Sequence, residues 1–123
     1  MTESGSPYDA LARVFHEPNR LAIMSALAAE DKGIAFTDLK ATCNLTDGNL
    51  SRHLKALEVT AAVRIQKSFV GVKPRTTISI TAGGRAQFTT YLDALELVLR
   101  TAEQALAHSK PTVAPPLGNE ATA

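Results

Sequence analysis

The sequence predicts a mainly α-helical fold that carries one small β-hairpin and ends in a long helix. Three observations predict it. Leu50, Leu54 and Leu57 recur at i, i+4, i+7 inside the run Leu45–Glu58, the apolar stripe of a 3.6-residue period. Val63-Arg64-Ile65-Gln66 and Thr77-Ile78-Ser79-Ile80 alternate apolar and polar residues instead, on either side of the Gly- and Pro-containing stretch Val70–Pro74, which is the pattern of a hairpin. From Ala82 to about His108 no proline interrupts the chain. Phe88, Leu92, Leu95, Leu99, Ala102 and Leu106 follow one another there at steps of 4-3-4-3-4, close to a heptad seam.

Each element has a local reason. Asp9 to Phe15 reads as a short first helix, closed off by Glu17-Pro18. Asn19 can cap a second helix to about Ala29, with Leu21, Met24 and Leu27 facing inward and Gly33 after its end. Ile34 to Phe36 is expected to form a short strand pairing with the hairpin. Thr37 is expected to cap a third helix from Asp38 to about Cys43. Thr46 is a good N-cap for the fourth, where Asp47 places negative charge in the first turn and so suits the helix dipole. The hairpin follows, and Thr81 can cap the last helix, which at 1.5 Å per residue would be about 40 Å long. Tyr91, Val98 and Ala105 widen its apolar stripe. Met1 to Ser6 and Lys110 to Ala123, the latter with Pro111, Pro115, Pro116 and Gly118, read as disordered tails around one domain spanning 7–109. No internal repeat is present.

Composition bounds the function. A chain of 123 residues with 45% hydrophobic content fits one domain with a modest core. Aromatic residues are only 5% and Trp is absent, so Leu, Ile, Val and Ala are expected to fill that core. Met1–Pro7 has no apolar signal-like stretch, and no run approaches the length of a membrane span, so a cytoplasmic, nucleoid-associated location is expected. The lone Cys43 excludes an intramolecular disulfide and fits a reducing compartment. The net charge of +1 conceals a pattern. Residues 1–44 hold four Lys/Arg against six Asp/Glu, residues 45–85 seven against two, and residues 86–123 two against four. The positive charge therefore sits on the fourth helix and the hairpin, the footprint of a DNA-facing surface.

The chemistry of those two elements agrees. Opposite the leucine stripe, Gly48, Asn49, Arg52, Lys55 and Ala56 share one face of the helix, with Ser51 on its flank. A small, polar, cationic face suits a helix in a DNA major groove: Arg can bond guanine O6 and N7, Asn can bond adenine N6 and N7, and Lys can reach phosphate. The competing reading is an ordinary amphipathic helix with a solvated face. Lys67, Lys73 and Arg75 flank the hairpin turn. A basic hairpin directly after a basic-faced helix is the layout of a winged helix-turn-helix, with the helix in the major groove and the wing on the backbone or in the minor groove.

Four motifs carry a resemblance to a known family: His16-Glu17-Pro18-Asn19-Arg20-Leu21-Ala22-Ile23-Met24; the run from Leu45 to Glu58; Lys73-Pro74-Arg75-Thr76; and Ile80-Thr81-Ala82-Gly83-Gly84-Arg85. Together they resemble the small winged-helix transcription regulators of the MarR/ArsR-like group, over about Tyr8 to Leu106. The resemblance implies a dimeric, sequence-specific DNA-binding regulator with recognition residues from Asn49 to Lys55 and wing contacts from Lys73 to Thr77. One departure stands out. Where the family usually has Gly followed by a large residue, this chain has Ala61 and Ala62. Glycine there would end the recognition helix in a left-handed conformation at little steric cost. With alanine, either the helix runs a turn longer or the wing sits at another angle.

The expected DNA contacts are thus Thr46, Asn49, Ser51, Arg52, His53 and Lys55 on the helix, and Lys67, Lys73, Arg75 and Thr76 on the wing. His53, at the border of the buried stripe, reads equally as a phosphate contact or as a packed histidine. Phe88, Leu92, Leu95, Leu99, Ala102 and Leu106 are the expected interface of a homodimer, whose two recognition helices would meet half-sites of a pseudo-palindromic operator. His16, His53 and His108 are scattered, without metal-ligand spacing or a cysteine pair, so neither metal nor cofactor is expected. Cys43 would sense oxidants only if exposed and acidic; a buried, inert thiol is the plainer reading. Gly83-Gly84-Arg85 lacks the signature of a phosphate loop. It opens the last helix, where glycine lets backbones approach and Arg85 can meet a phosphate or a carboxylate. No nucleophile–base pair or paired carboxylates occur, so the chain reads as a non-enzyme. A protein-interaction module meeting an acidic partner, and an effector-responsive sensor with a ligand site between protomers, are the alternatives.

Overall fold

The structure, a computed structural model, describes residues 7–108; the two expected tails, residues 1–6 and 110–123, lie outside the described residues. Five helices and three strands follow in the order α1 (Pro7–Phe15), α2 (Pro18–Ala28), β1 (Ile34–Ala35), α3 (Phe36–Cys43), α4 (Asp47–Val59), β2 (Val63–Val70), β3 (Lys73–Ile80) and α5 (Ala82–His108). This is a winged helix-turn-helix architecture with a long C-terminal helix. By its contacts the chain divides into two compact units, one up to Leu92 and one from Asp93. The described part of the second is the remainder of α5.

Caps set most boundaries. Glu17, not Asn19, caps α2: its carboxylate accepts the Arg20 N–H at 2.9 Å, and Pro18 occupies the first turn, where its missing N–H is no loss. Likewise α3 starts at Phe36 with Ala35 in the cap position and no side-chain cap bond, so Thr37 does not cap it. β1 ends one residue earlier than expected for the same reason. The helix-turn-helix turn is closed by Asn44, in the left-handed region at φ 56°, a conformation asparagine tolerates better than most residues. Thr46 then caps α4 as its sequence predicts, its hydroxyl accepting the Asn49 N–H at 3.1 Å.

α4 does not run a turn longer. Ala61 takes the left-handed conformation itself, at φ 61°. Its N–H bonds to the Glu58 carbonyl at 2.9 Å and the Ala62 N–H to the Leu57 carbonyl at 3.0 Å, the paired bonds of a Schellman end. The chain crossing this point is tied down by Thr81, whose N–H donates to the Ala62 carbonyl at 3.1 Å and whose hydroxyl donates to the Ala61 carbonyl at 2.6 Å. The same hydroxyl accepts the Gly84 N–H at 2.7 Å and so caps α5. The helix is drawn in so closely that a Cβ on Gly84 would stand 2.0 Å from the Ala62 carbonyl oxygen. Glycine is the residue that fits there.

The strands form one antiparallel sheet in the order β1-β3-β2. β2 and β3 pair without interruption from Val63↔Ile80 to Val70↔Lys73, leaving a two-residue turn at Gly71-Val72. Gly71, at φ +67°, supplies the positive φ that a tight hairpin turn of this kind requires at its first central position. The turn is therefore shorter than Val70–Pro74, and Pro74 lies within β3. It is tolerated because β1 pairs only with Ile78 and Thr77, so at Pro74 the outer side of β3 has no ladder bond to lose.

The core of the first unit gathers Ile23, Met24 and Leu27 of α2, Leu39 of α3, Leu50, Leu54 and Leu57 of α4, and Val63 and Ile78 of the sheet, all at most 3% exposed. Leu21 is only half-buried and Ile23 takes the inward place. Aliphatic residues do not fill this core alone. Phe15, Phe88 and Tyr91 form a cluster, with Phe15 edge-on to Phe88 at 5.4 Å and 5.7 Å from Tyr91, and the Tyr91 hydroxyl lies 2.7 Å from His16 Nδ1. Few aromatics suffice when they meet.

Candidate nucleic-acid interface

α4 presents its two faces as its periodicity predicts. Leu50, Leu54 and Leu57 are buried, while Gly48, Ser51, Arg52 and Lys55 are exposed and Asn49 is half-buried. Asn49 and Arg52 are one turn apart and touch: the Arg52 Nη2 donates to Asn49 Oδ1 at 2.6 Å. A residue three positions along a helix lies on the same face, so the contact follows from spacing. Its chemical effect is to hold the guanidinium fork in place while occupying the acceptor that Asn49 would need to bond adenine through both amide atoms.

His53 does not share this surface. It is buried, 8% exposed, because it flanks the leucine stripe, and its Nδ1 lies 3.9 Å from Glu17 Oε1 without a hydrogen-bond partner. It is a core histidine facing a carboxylate, so it is withdrawn from the expected DNA contacts. Burial alone would push the Glu17 carboxyl up, but the Arg20 N–H bond, the charge of His53 and the Asn19 bond together hold it below the usual glutamate range. Of the two partners expected for it, Arg85 meets a carboxylate, at the surface: its Nη2 lies 3.1 Å from Asp31 Oδ1. Cys43 is half-buried and burial pushes its thiol up, which disfavours the thiolate.

The hairpin divides its cations between two faces, since directly paired residues of antiparallel strands share a face and neighbours alternate. Lys67 pairs with Thr76, and both join Ile65 on the face toward α4. Lys73 and Arg75 pair with Val70 and Ser68 and belong to the other face. Between α4 and the first face lies an open cleft of about 650 Å³ lined by Ser51, Lys55, Glu58, Ile65, Lys67 and Thr76. Four of the expected contacts therefore converge on one groove: Ser51, Lys55, Lys67 and Thr76. Thr46, which caps α4, and Asn49 and Arg52 on it lie outside the lining.

Three exposed residues at the wing tip were not legible as a group in the sequence. Phe69, Val70 and Val72 are 72, 58 and 91% exposed. The available signal was apolar residues crowded round a glycine at a hairpin turn, where no core can reach them.

The expected seam splits. Phe88 is buried in the first unit. Leu92 is 40% exposed, and in the second unit Leu99 and Leu106 are 55 and 74% exposed, with Leu97 and Val98 also open. Leu95 is half-buried and Ala102 exposed. Among the described residues no helix is long and apolar enough to cross a membrane.

Comparison with known proteins gives a consistent picture. A family described as winged helix DNA-binding domain matches residues 19–99. The uncharacterized protein MJ0432 of Methanocaldococcus jannaschii is 38% identical over 80 residues, 65% of this chain and 86% of that protein. Among solved structures, a transcriptional regulator homologue from Pyrococcus horikoshii is similar at 26% identity, covering 78% of this chain and 96% of that one with a TM-score of 0.70. A regulator of the MarR family from Enterococcus faecalis shares the fold at 18% identity, 87 and 94% coverage and a TM-score of 0.68. AbfR, solved in an overoxidized state bound to DNA, shares it at 20% identity, 83 and 81% coverage and a TM-score of 0.60.

Proposed function

The chain belongs to the winged helix DNA-binding domain family, and from that premise we propose that it is a sequence-specific transcription regulator that reads double-stranded DNA as a homodimer. The observation that carries this reading is the groove between α4 and the wing, where Ser51, Lys55, Lys67 and Thr76 line an open cleft beside the exposed Arg52. In this reading α4 enters the major groove. Arg52, held by Asn49, bonds a guanine edge, and Ser51 contacts a neighbouring base. Lys55 and Lys67 hold phosphates on the two sides of the cleft, with Thr46 and Thr76 as hydroxyl donors, while Lys73 and Arg75 on the opposite wing face follow the backbone into the minor groove. Asn49 acts first as the positioning group for Arg52; adenine readout would require it to release that bond.

The dimer in this proposal forms along α5 through Leu92, Leu95, Leu99, Ala102 and Leu106. The exposure of Leu92, Leu99 and Leu106 supports it, since large apolar side chains at heptad spacing gain by mutual burial. Such a protein acts in the cytoplasm on the nucleoid, and DNA readout rather than catalysis is its activity. Selection of random duplex DNA by the purified protein at about 150 mM salt, with non-specific competitor, tests the proposal. Enrichment of an inverted repeat is the expected result. Recovery of no motif, together with loss of salt-sensitive duplex binding, would overturn it in favour of a protein-interaction module.

A further inference from the structure

Phosphate contacts explain the cations of the wing and leave its tip unexplained. Phe69, Val70 and Val72 surround the two-residue turn and are each more than half exposed. Alternation places Phe69, opposite Pro74, at the outer end of the same wing face that carries Lys67 and Thr76 along the cleft. Val70 lies opposite Lys73, on the Arg75 face. At Gly71, between them, there is open space round the position a Cβ would take. The tip is thus an apolar point, and it is set in positive charge. Arg64, Lys67, Lys73 and Arg75 lie on the hairpin, and no Asp or Glu occurs between Glu58 and Asp93. That charge opposes a second copy of the same hairpin and favours a polyanion with apolar interior surface.

We propose that the wing tip is an apolar wedge for the DNA minor groove, in which Phe69, with Val72 beside it, unstacks one base step while Lys67, Lys73 and Arg75 hold the flanking phosphates. The inference rests on the DNA-binding reading above and adds to it a mode of specificity. Apolar side chains inserted between base steps kink the duplex toward the major groove. Pyrimidine–purine steps yield most easily. The wing would therefore prefer a flexible step at a position where no side chain reads a base edge.

The test uses the full chain and mixed-sequence duplexes of about 30 base pairs with 2-aminopurine beside a TA step and a donor–acceptor dye pair at the ends. The wild type is expected to raise the 2-aminopurine fluorescence and shorten the end-to-end distance. The Phe69→Ser, Val72→Ser double variant should lose both signals and bind roughly tenfold more weakly. Its salt dependence should stay unchanged, because no phosphate contact is removed, and its thermal melt should match the wild type, because both side chains are exposed. Lys73→Ala should keep the fluorescence rise and lower the salt slope. Salt-dependent binding by the wild type with neither signal, or signals retained by the double variant, overturns the wedge and leaves DNA binding standing. Absence of duplex binding overturns both. Sedimentation with phosphatidylserine vesicles that depends on Phe69, in the absence of bending, assigns the tip to a lipid surface and overturns the wedge.

Discussion

Ala61→Gly should stabilise the protein, and the junction at which it sits lets the size of the effect be worked out. Ala61 holds φ 61°, where an L-residue with a Cβ is destabilised by about 1–2 kcal/mol. Glycine removes that strain. Its looser unfolded chain returns about 0.4–1 kcal/mol of it. Nothing else changes sign, since the methyl group is exposed and the bonds of Ala61 to Glu58 and Thr81 use backbone atoms that glycine keeps. The net expectation is about 0.5–1 kcal/mol of added stability, or roughly 2–5 °C in Tm for a chain of this size. Thermal and urea denaturation followed by circular dichroism read it directly. Gly84→Ala supplies the opposite sign from the same junction. Its Cβ would meet backbone, the Ala62 carbonyl oxygen at 2.0 Å, and overpacking against backbone costs about 1–3 kcal/mol or more. A fall in Tm for Ala61→Gly would refute the reasoning, because it would mean that the left-handed residue is not strained or that its methyl group contributes an unseen contact.

Arg52→Ala should weaken binding to the selected site and relax base preference at one position, whereas Lys73→Ala should weaken binding to all duplexes and lower the salt slope by about 1; equal losses on specific and non-specific DNA for Arg52→Ala would sink its role as a base reader. Leu99→Lys should convert a dimer to monomers in sedimentation equilibrium without lowering the melt of the first unit, since Leu99 is 55% exposed, and an unchanged mass would rule out the α5 seam. The Glu17 carboxyl is held below its usual range in the folded chain, so its contribution is complete above the unfolded glutamate value of about 4.3 and is lost as pH falls through the folded value. Glu17→Gln should therefore be less stable than the wild type at pH 7, and the gap should narrow as pH falls below the unfolded glutamate value of about 4.3; a gap that does not narrow on acidification in urea titrations would count against this linkage.

The elements that repeat were legible. A leucine stripe at helical spacing, a period-two hairpin and an uninterrupted heptad run identify α4, the wing and α5, because side-chain periodicity records which face must leave water. The concentration of cations over residues 45–85 located the candidate interface for the same reason: charge density is a property of the chain. Boundaries set by competition between neighbours were less legible. Glu17 rather than Asn19 caps α2 since Pro18 fits the first turn, and the hairpin turn shrinks to Gly71-Val72 because the open side of β3 accepts Pro74.

What the sequence by itself determined was therefore the set of amphipathic surfaces and their order along the chain, which is enough for the architecture and for the polar face of α4 that carries the candidate DNA contacts. Tertiary structure decided what each surface touches. It buried His53 against Glu17, tied Arg52 to Asn49, sorted Lys67 from Lys73 across the wing, took Phe88 into the core while leaving Leu99 and Leu106 open, and bent Ala61 into a conformation that alanine disfavours. These outcomes depend on residues far apart in sequence meeting at one point. At the α4–β2 junction the approach of Thr81 and Gly84 to the Ala61 and Ala62 carbonyls fixes the backbone path, and local preference yields to it.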